Sequence, residues 1–120
     1  MRRTAVLAFT LLVTALAAPP AHAGETVCNQ DGVASLCATA EPVMDVTGIN
    51  YDVGQLDGPG SYQIHYVDLN NGFTSTPQNI GPLFNGQHLF GSMFGELEHC
   101  FQVILTSAAG TDLQVGPVCP

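Results

Sequence analysis

The fold is decided by residues 99–119, which read HCFQVILTSAAGTDLQVGPVC. A run rich in β-branched and aromatic residues enters a small, polar turn at residues 107–112, and a second alternating run leaves it. This arrangement predicts a β-hairpin. Cys100 and Cys119 lie almost symmetrically about the turn, so a disulfide between them would join the two strands of the hairpin.

The chain has four cysteines, and all of them follow residue 23. Four cysteines allow three pairings, and the sequence alone does not choose among them. Symmetry about two predicted turns favours Cys28 with Cys37 and Cys100 with Cys119. Each disulfide would stabilise a small domain by about 3 kcal/mol in the loop-entropy description, and cysteine pairs of this kind are typical of oxidising compartments.

Residues 1–23 have the pattern of a secretory signal peptide. Two arginines precede a short apolar run, and Ala21-His22-Ala23 forms a small-residue cleavage site. The apolar run is shorter than a membrane span requires. We therefore expect a secreted, extracellular protein whose mature part, residues 24–120, is a single β-sandwich domain.

The charge balance of the predicted mature part is strongly acidic. The chain's only two basic residues, Arg2 and Arg3, belong to the predicted leader, whereas all ten acidic residues follow it. A domain without lysine or arginine cannot make the cationic contacts that nucleic acids and anionic membranes require. We therefore expect neither nucleic acid nor membrane as a partner.

The first segment of the mature part allows two interpretations. Residues 26–37 contain Asp31-Gly32, a favoured turn dipeptide, midway between Cys28 and Cys37. The segment is then a second hairpin. The alternative is a loose N-terminal loop that a disulfide pins to the domain.

Strand signals follow at short intervals. Residues 42–53 are rich in valine and isoleucine and predict one strand, with Gly48 as a bulge. Residues 62–69 predict a second strand, which ends in the hairpin signal Asn71-Gly72. Residues 73–80 should return antiparallel as an edge or short strand because they contain a proline.

No segment has a sustained helical period, whereas short strands alternate regularly with turn signals. This pattern is typical of a β-sandwich or barrel. We predict an all-β fold, an antiparallel two-sheet β-sandwich with two local disulfides.

Two motifs carry a resemblance to a known fold: Tyr62-x-Ile64-x-Tyr66, and Phe101-x-Val103-x-Leu105-x-Ser107-x-x-Gly110. They resemble the C strand, and the F strand into the FG turn, of fibronectin type III domains. The resemblance covers residues 42–119 and implies an immunoglobulin-like sandwich without implying a function. It places Met93 and Glu96 at the E–F corner and gives His99 the position usually held by a tyrosine there. The chain has no tryptophan for the B strand.

Four fragments resemble the neocarzinostatin family of acidic secreted apoproteins, which carry an enediyne chromophore. They are Tyr51-Asp52-Val53-Gly54-Gln55, Leu83-Phe84-Asn85-Gly86, Gln102-Val103 and Ala108-Ala109-Gly110, and they occur in the same order. Leu56 stands where that family has a cysteine. The resemblance implies a small-molecule carrier, and no ligand-binding residue is transferred from it.

Alternation along the closing hairpin predicts a candidate binding surface. If Cys100 and Cys119 face one another, Ile104 pairs with Val115, and both lie on the face opposite the core. An exposed apolar strip would mark a partner surface. We name it the predicted strip; its residues are His65, Val67, Ile104, Leu113 and Val115. The alternatives are that residues 24–41 cover the strip or that the register differs.

A phenylalanine-rich segment gives a second candidate, an apolar cleft for a small molecule. We name it the predicted cleft; its residues are Leu83, Phe84, Leu89, Phe90, Met93 and Phe94. The alternative is that these residues supply the core of a domain that lacks tryptophan.

Catalytic and metal-binding signals are weak. The histidines after residue 23 (His65, His88 and His99) share no metal-ligand spacing, and the segment 68–72 has its glycine one residue too early for a calcium loop. No G-x-S-x-G motif is present. We therefore expect a protein that is not an enzyme and needs no metal or cofactor.

The sequence thus favours a secreted, non-catalytic binding domain that contacts a protein partner. An inhibitor-like module with a contact loop at residues 54–60 or 107–112 belongs to this class. The alternative is an apoprotein that carries an apolar small molecule, and a secreted hydrolase is the distant third.

Overall fold

The computed structural model describes residues 24–120, so the predicted signal peptide lies outside the described residues. Eight strands make up the described part of the chain. They are β1 (Val27–Gln30), β2 (Ala34–Val43), β3 (Val46–Gln55), β4 (Gly60–Asp68), β5 (Gln78–Leu83), β6 (His88–Glu96), β7 (Phe101–Ser107) and β8 (Asp112–Val118).

The strands form two antiparallel sheets of four strands each, and they pack face to face. One sheet has the order β1-β2-β3-β6 and the other β5-β4-β7-β8. No helix occurs in residues 24–120, so the described part also has no helix long and apolar enough to cross a membrane. The predicted all-β sandwich is confirmed.

Both predicted disulfides are present, Cys28–Cys37 and Cys100–Cys119. The first links directly opposite residues of the β1–β2 hairpin, so the hairpin interpretation of the N-terminal segment is confirmed over the loose loop. The side chain of Asp31 accepts hydrogen bonds from the backbone N–H groups of Val33 and Ala34, both at 2.9 Å, and so stabilises the turn of this hairpin.

The prediction of one strand over residues 42–53 is wrong. The chain turns at Met44 and Asp45 and divides that segment between β2 and β3. Met44 adopts a positive φ of 57°, and Gly48 lies in a continuous register rather than at a bulge. A turn without glycine or asparagine leaves no sequence signal of the kind used for hairpins.

Residues 81–98, for which no strand was predicted, contain the end of β5 and all of β6. The glycines of β6 interrupt its apolar pattern, but they leave room for core side chains. Gly91 faces the ring of Tyr51, and a Cβ on Gly95 would lie 2.6 Å from the ring of Phe101. Both glycines therefore let large core rings reach the strand backbone.

The inner faces of the two sheets enclose one hydrophobic core. Its members are Ala34, Leu36, Ala38, Ala40, Ile49, Tyr51, Val53, Tyr62, Ile64, Tyr66, Ile80, Leu83, Met93, Phe101, Val103, Leu105, Leu113, Val115 and Val118. Of the five phenylalanines in residues 24–120, only Phe101 lies in this core.

The closing hairpin forms where it was predicted, but with another register. Val115 pairs with Val103 rather than with Ile104, because the ladder is irregular between Phe101 and Val103. Such an irregularity shifts the alternation of one strand relative to the other. On β8, the shift turns Val115 toward the core.

Candidate functional site

The predicted strip does not form as one surface. Leu113 and Val115 are core residues, only 6% and 3% exposed. His65 and Ile104 are opposite neighbours on β4 and β7, and both are half-buried, as is Val67. The register alternative therefore describes this face, and the apolar strip is reduced to its β4–β7 part.

The predicted cleft does not form either. Leu83 and Met93 are buried, whereas Phe84, Phe90 and Phe94 are 57%, 73% and 59% exposed. Along β6 the side chains alternate between the two faces of the strand, so neighbouring members point in opposite directions. The six residues divide between core and surface rather than converging.

The exposed members of that set nevertheless identify an aromatic surface of the domain. Phe90 and Phe94 lie on the outer face of β6, with Ser92 between them. This face could have been found by applying a two-residue period to residues 88–96, where the glycines fall on the inward-facing positions. We name residues His88, Phe90, Ser92, Phe94 and Glu96 the β6 face.

β6 is also an edge strand, since within residues 24–120 it pairs with β3 alone. Next to the start of β6, Gln55 donates its N–H to the Gln87 carbonyl and accepts from the Gly86 N–H, both at 2.9 Å. Backbone groups alternate in direction along a strand. The odd-numbered residues of β6 therefore point their N–H and C=O toward β3.

The even-numbered residues Phe90, Ser92 and Phe94 consequently direct their backbone groups away from β3. One contact supports this assignment: the Tyr66 hydroxyl, which comes from β4 in the other sheet, donates to the Phe94 carbonyl at 2.8 Å. An exposed edge of this length with apolar side chains is a template for an added strand.

A groove of about 390 Å³ runs beside this edge. It lies between β6 and the segment that leads from β4 into β5. Its lining residues are Tyr66, Phe73, Ser75, Thr76, Gln78, Ser92, Met93 and Phe94. The groove thus adds aromatic surface to the free edge of the strand.

Polar contacts fix the outer surface around the two phenylalanines. The His88 ring stacks on Phe90 with a centroid distance of 6.2 Å, and its Nδ1 lies 2.8 Å from Asp52 Oδ1. The Ser92 hydroxyl donates to Asn50 Oδ1 at 2.7 Å. These side chains are held by β3, so the β6 face is supported from one side.

A second cavity, of about 430 Å³, opens where the β1–β2, β3–β4 and β7–β8 connections meet. Its wall is largely apolar and includes Val33, Ala34, Pro59, Tyr62, Pro82, Leu105, Ala108, Ala109 and Leu113. Asp31 supplies a carboxylate at the rim, and backbone hydrogen bonds from Ala34 and Val33 lower the pKa of that carboxyl. The cavity therefore combines an apolar wall with one ionised group.

A buried polar network supports this cavity from below. Gln55 is 1% exposed, and its amide donates to the carbonyls of Val33 and Asp57 at 3.1 and 2.7 Å. Its Oε1 accepts from the Tyr62 hydroxyl at 2.6 Å. The network joins β3 and β4 to the two connections that border the cavity.

His99, which was assigned to the E–F corner, lies between β6 and β7 and contacts Asp68, with 2.7 Å between its Nδ1 and Asp68 Oδ2. Burial of Asp68 opposes ionisation, but hydrogen bonds from His99 and from the Asn70 N–H outweigh it and lower the pKa of the carboxyl. Asn70 also accepts from the Cys100 N–H. This cluster stabilises the corner beside the second disulfide.

Among residues 24–120, no three His, Cys, Asp or Glu side chains converge as ligands of a metal ion would. His65, His88 and His99 lie apart, on β4, β6 and the β6–β7 connection.

No protein-family model matches the chain, and no curated protein is detectably similar to it in sequence.

Proposed function

We propose that this protein is a secreted, non-catalytic interaction domain that binds an extended segment of a protein partner along β6. The observation that carries the proposal is the coincidence of a free backbone edge with two largely exposed phenylalanines on the same strand. Strand addition at a sheet edge uses backbone hydrogen bonds for affinity and alternate side chains for specificity. β6 offers both.

Charge and covalent structure support the proposal. The described domain has ten carboxylates and no lysine or arginine, so a partner with basic residues around its strand would be attracted. Two disulfides in so small a domain are compatible with an extracellular location.

A strand probe tests the proposal. A nine-residue peptide of alternating valine and lysine matches the length of β6, and its binding is measured by fluorescence anisotropy of a labelled peptide. Ser92→Pro removes an outward N–H at the centre of the edge and is tolerated on edge strands. We expect binding to the unaltered protein, at least tenfold weaker binding to the variant, and a decrease of affinity with salt.

A matched pair of variants separates strand addition from general hydrophobicity. Phe94→Ser and Phe84→Ser remove similarly exposed phenylalanines, but Phe84 lies outside β6. Weaker peptide binding in the first variant alone supports the proposal. Equal binding by the unaltered protein and Ser92→Pro would contradict it.

The second cavity favours a second function, the carriage of an apolar small molecule. Its volume lies in the range of small-molecule sites, and its wall is mainly apolar. The fluorescence of N-phenyl-1-naphthylamine, a neutral apolar probe, should rise on binding there. Ala108→Trp would fill the cavity and abolish the rise, whereas Asn71→Trp, in the β4–β5 turn, would not. An unchanged signal in Ala108→Trp would exclude this site.

A further inference from the structure

We infer that the strand which β6 accepts is the β6 of a second copy of this chain, in an antiparallel pair with a twofold axis at Ser92. The inference rests on the proposed function, since it identifies the partner of the same edge. It joins the β1-β2-β3-β6 sheets of two copies into one continuous eight-stranded sheet.

The backbone of β6 permits this pairing. With the axis at Ser92, that residue faces Ser92 of the second copy, and Phe90 faces Phe94 of the second copy. All three direct their N–H and C=O groups to the free edge, as derived above. Directly opposite residues of this kind exchange two hydrogen bonds in an antiparallel ladder. The Phe94 carbonyl retains a lone pair for the Tyr66 hydroxyl, since a carbonyl oxygen accepts two bonds.

The side chains on the outer face match in the same register. Each Phe90 lies beside a Phe94 of the other copy, which covers both exposed rings. His88 lies opposite Glu96 of the second copy. Because the described domain contains no lysine or arginine, histidines are its only side chains that can supply a positive charge, and one of them stands opposite a carboxylate here.

Neighbouring registers lose these matches. Displacing one strand by two residues in one direction places Phe90 opposite Ser92 and His88 opposite Phe94 of the second copy. Displacement in the other direction places Phe94 opposite Ser92 and Phe90 opposite Glu96. Displacement by a single residue would set edge-directed backbone groups opposite groups that point toward β3. The axis at Ser92 is therefore the register that pairs both aromatic rings and sets His88 opposite Glu96 at both ends.

Net charge gives this dimer a distinctive salt dependence. Two copies of a domain with ten carboxylates and no lysine or arginine repel one another, and salt screens that repulsion. Self-association should therefore strengthen as salt rises, whereas binding of a basic partner should weaken. The two behaviours distinguish a second copy from a basic protein at the same edge.

Disulfide trapping tests the register directly. The full chain, exported so that both native disulfides form, is made as Ser92→Cys, Phe90→Cys and Phe94→Cys variants and oxidised mildly. Opposite residues of a hydrogen-bonded pair have Cα atoms about 5.5 Å apart, within disulfide reach. We expect Ser92→Cys to yield covalent dimer at least tenfold faster than either phenylalanine variant alone. An equimolar mixture of those two variants should cross-link as Ser92→Cys does.

Sedimentation of the unaltered protein completes the test. The apparent mass should double with rising concentration, and the dimer fraction should increase between 20 and 500 mM salt, a range over which the screening length falls from about 20 to about 4 Å and charge screening strengthens. Ser92→Pro should remain monomeric. A monomer that still binds the valine–lysine peptide would overturn the second-copy inference and leave the proposed function standing. A monomer that does not bind the peptide would overturn both, and a dimer unaffected by Ser92→Pro would place the interface elsewhere.

Discussion

The Tyr66 hydroxyl and the Phe94 carbonyl oxygen, 2.8 Å apart, join the two sheets of the sandwich at the free edge of β6. Tyr66 extends from the inner face of β4, and its ring packs edge-on against Phe101 with a centroid distance of 5.1 Å. The same tyrosine therefore belongs to the core and holds the edge strand. Packing and the proposed binding edge are coupled through this one side chain.

Tyr66→Phe should lower the free energy of unfolding by about 1 kcal/mol, the usual net value of one hydrogen bond. Because Tyr66 then no longer anchors β6 at Phe94, amide exchange should accelerate most at Met93 and Gly95, whose N–H groups point toward β3. Chemical denaturation and hydrogen exchange by mass spectrometry measure the two effects. Acceleration spread uniformly over all eight strands would contradict a local role of this contact.

Tyr66→Phe should also change the alkaline stability of the domain. Burial raises the pKa of the Tyr66 hydroxyl, and the carboxylates of Asp68 and Glu96 raise it further. A group whose pKa is raised by folding stabilises the folded protein at pH values below its unfolded pKa, about 10 for tyrosine. This contribution is lost as the pH rises through the pKa of the folded state. Melting temperatures from pH 8 to 12 should therefore fall less steeply in the variant. An identical slope would contradict the prediction.

Asp68→Asn should destabilise the domain at neutral pH and change its response to acid. The carboxyl is 2% exposed and is paired with His99, so losing its charge costs about 2 kcal/mol. The pKa of the Asp68 carboxyl is lowered in the folded state. Its contribution to stability is therefore present at pH values above the unfolded pKa and is lost as the pH falls through the folded pKa. Melting curves from pH 7 to pH 2 should show less acid destabilisation in the variant. Glu98→Gln, which removes an exposed carboxylate in the β6–β7 connection next to His99, is the control.

The register of the closing hairpin predicts different losses of stability for two substitutions to serine. Val115→Ser places a hydroxyl in the core and creates a void, which should cost about 3 kcal/mol. Ile104→Ser lies on the outer, half-buried face and should cost less than about 1 kcal/mol. Urea denaturation of both variants measures the difference. Equal costs would indicate that Ile104 and Val115 share a face, as the sequence-based register had it.

Local signals predicted the closing hairpin, the N-terminal hairpin and the disulfide pairs, because turn dipeptides and cysteine symmetry depend only on neighbouring residues. The register of β8 could not be predicted, since the irregularity opposite Gly116 and Pro117 arises from how the two strands meet. The side chains of one strand change faces at such a point. For this reason Leu113 and Val115, which were predicted for the strip, lie in the core.

The β6 face was missed for a different physical reason. Gly91 and Gly95 interrupt the apolar pattern of the strand. They make room for the rings of Tyr51 and Phe101, which pack against them from other strands. A sequence shows that a glycine is present but not which distant ring occupies the space beside it. Phe90 and Phe94, which were predicted to line a cleft, lie instead on the outer face of an edge strand.

Gly91→Ala should be among the most destabilising single substitutions in β6. The added methyl group would overlap the Tyr51 ring, which is 8% exposed and has little room to move. Overpacking of this kind costs about 1–3 kcal/mol. Tyr51→Leu in the same chain removes the overlapping atoms, so the double variant should lose less stability than the sum of the two single variants. Urea denaturation of the four proteins in this cycle measures the coupling. If the two losses of stability simply add, the residues do not compete for the same space, and contact with Tyr51 would not explain the glycine at position 91.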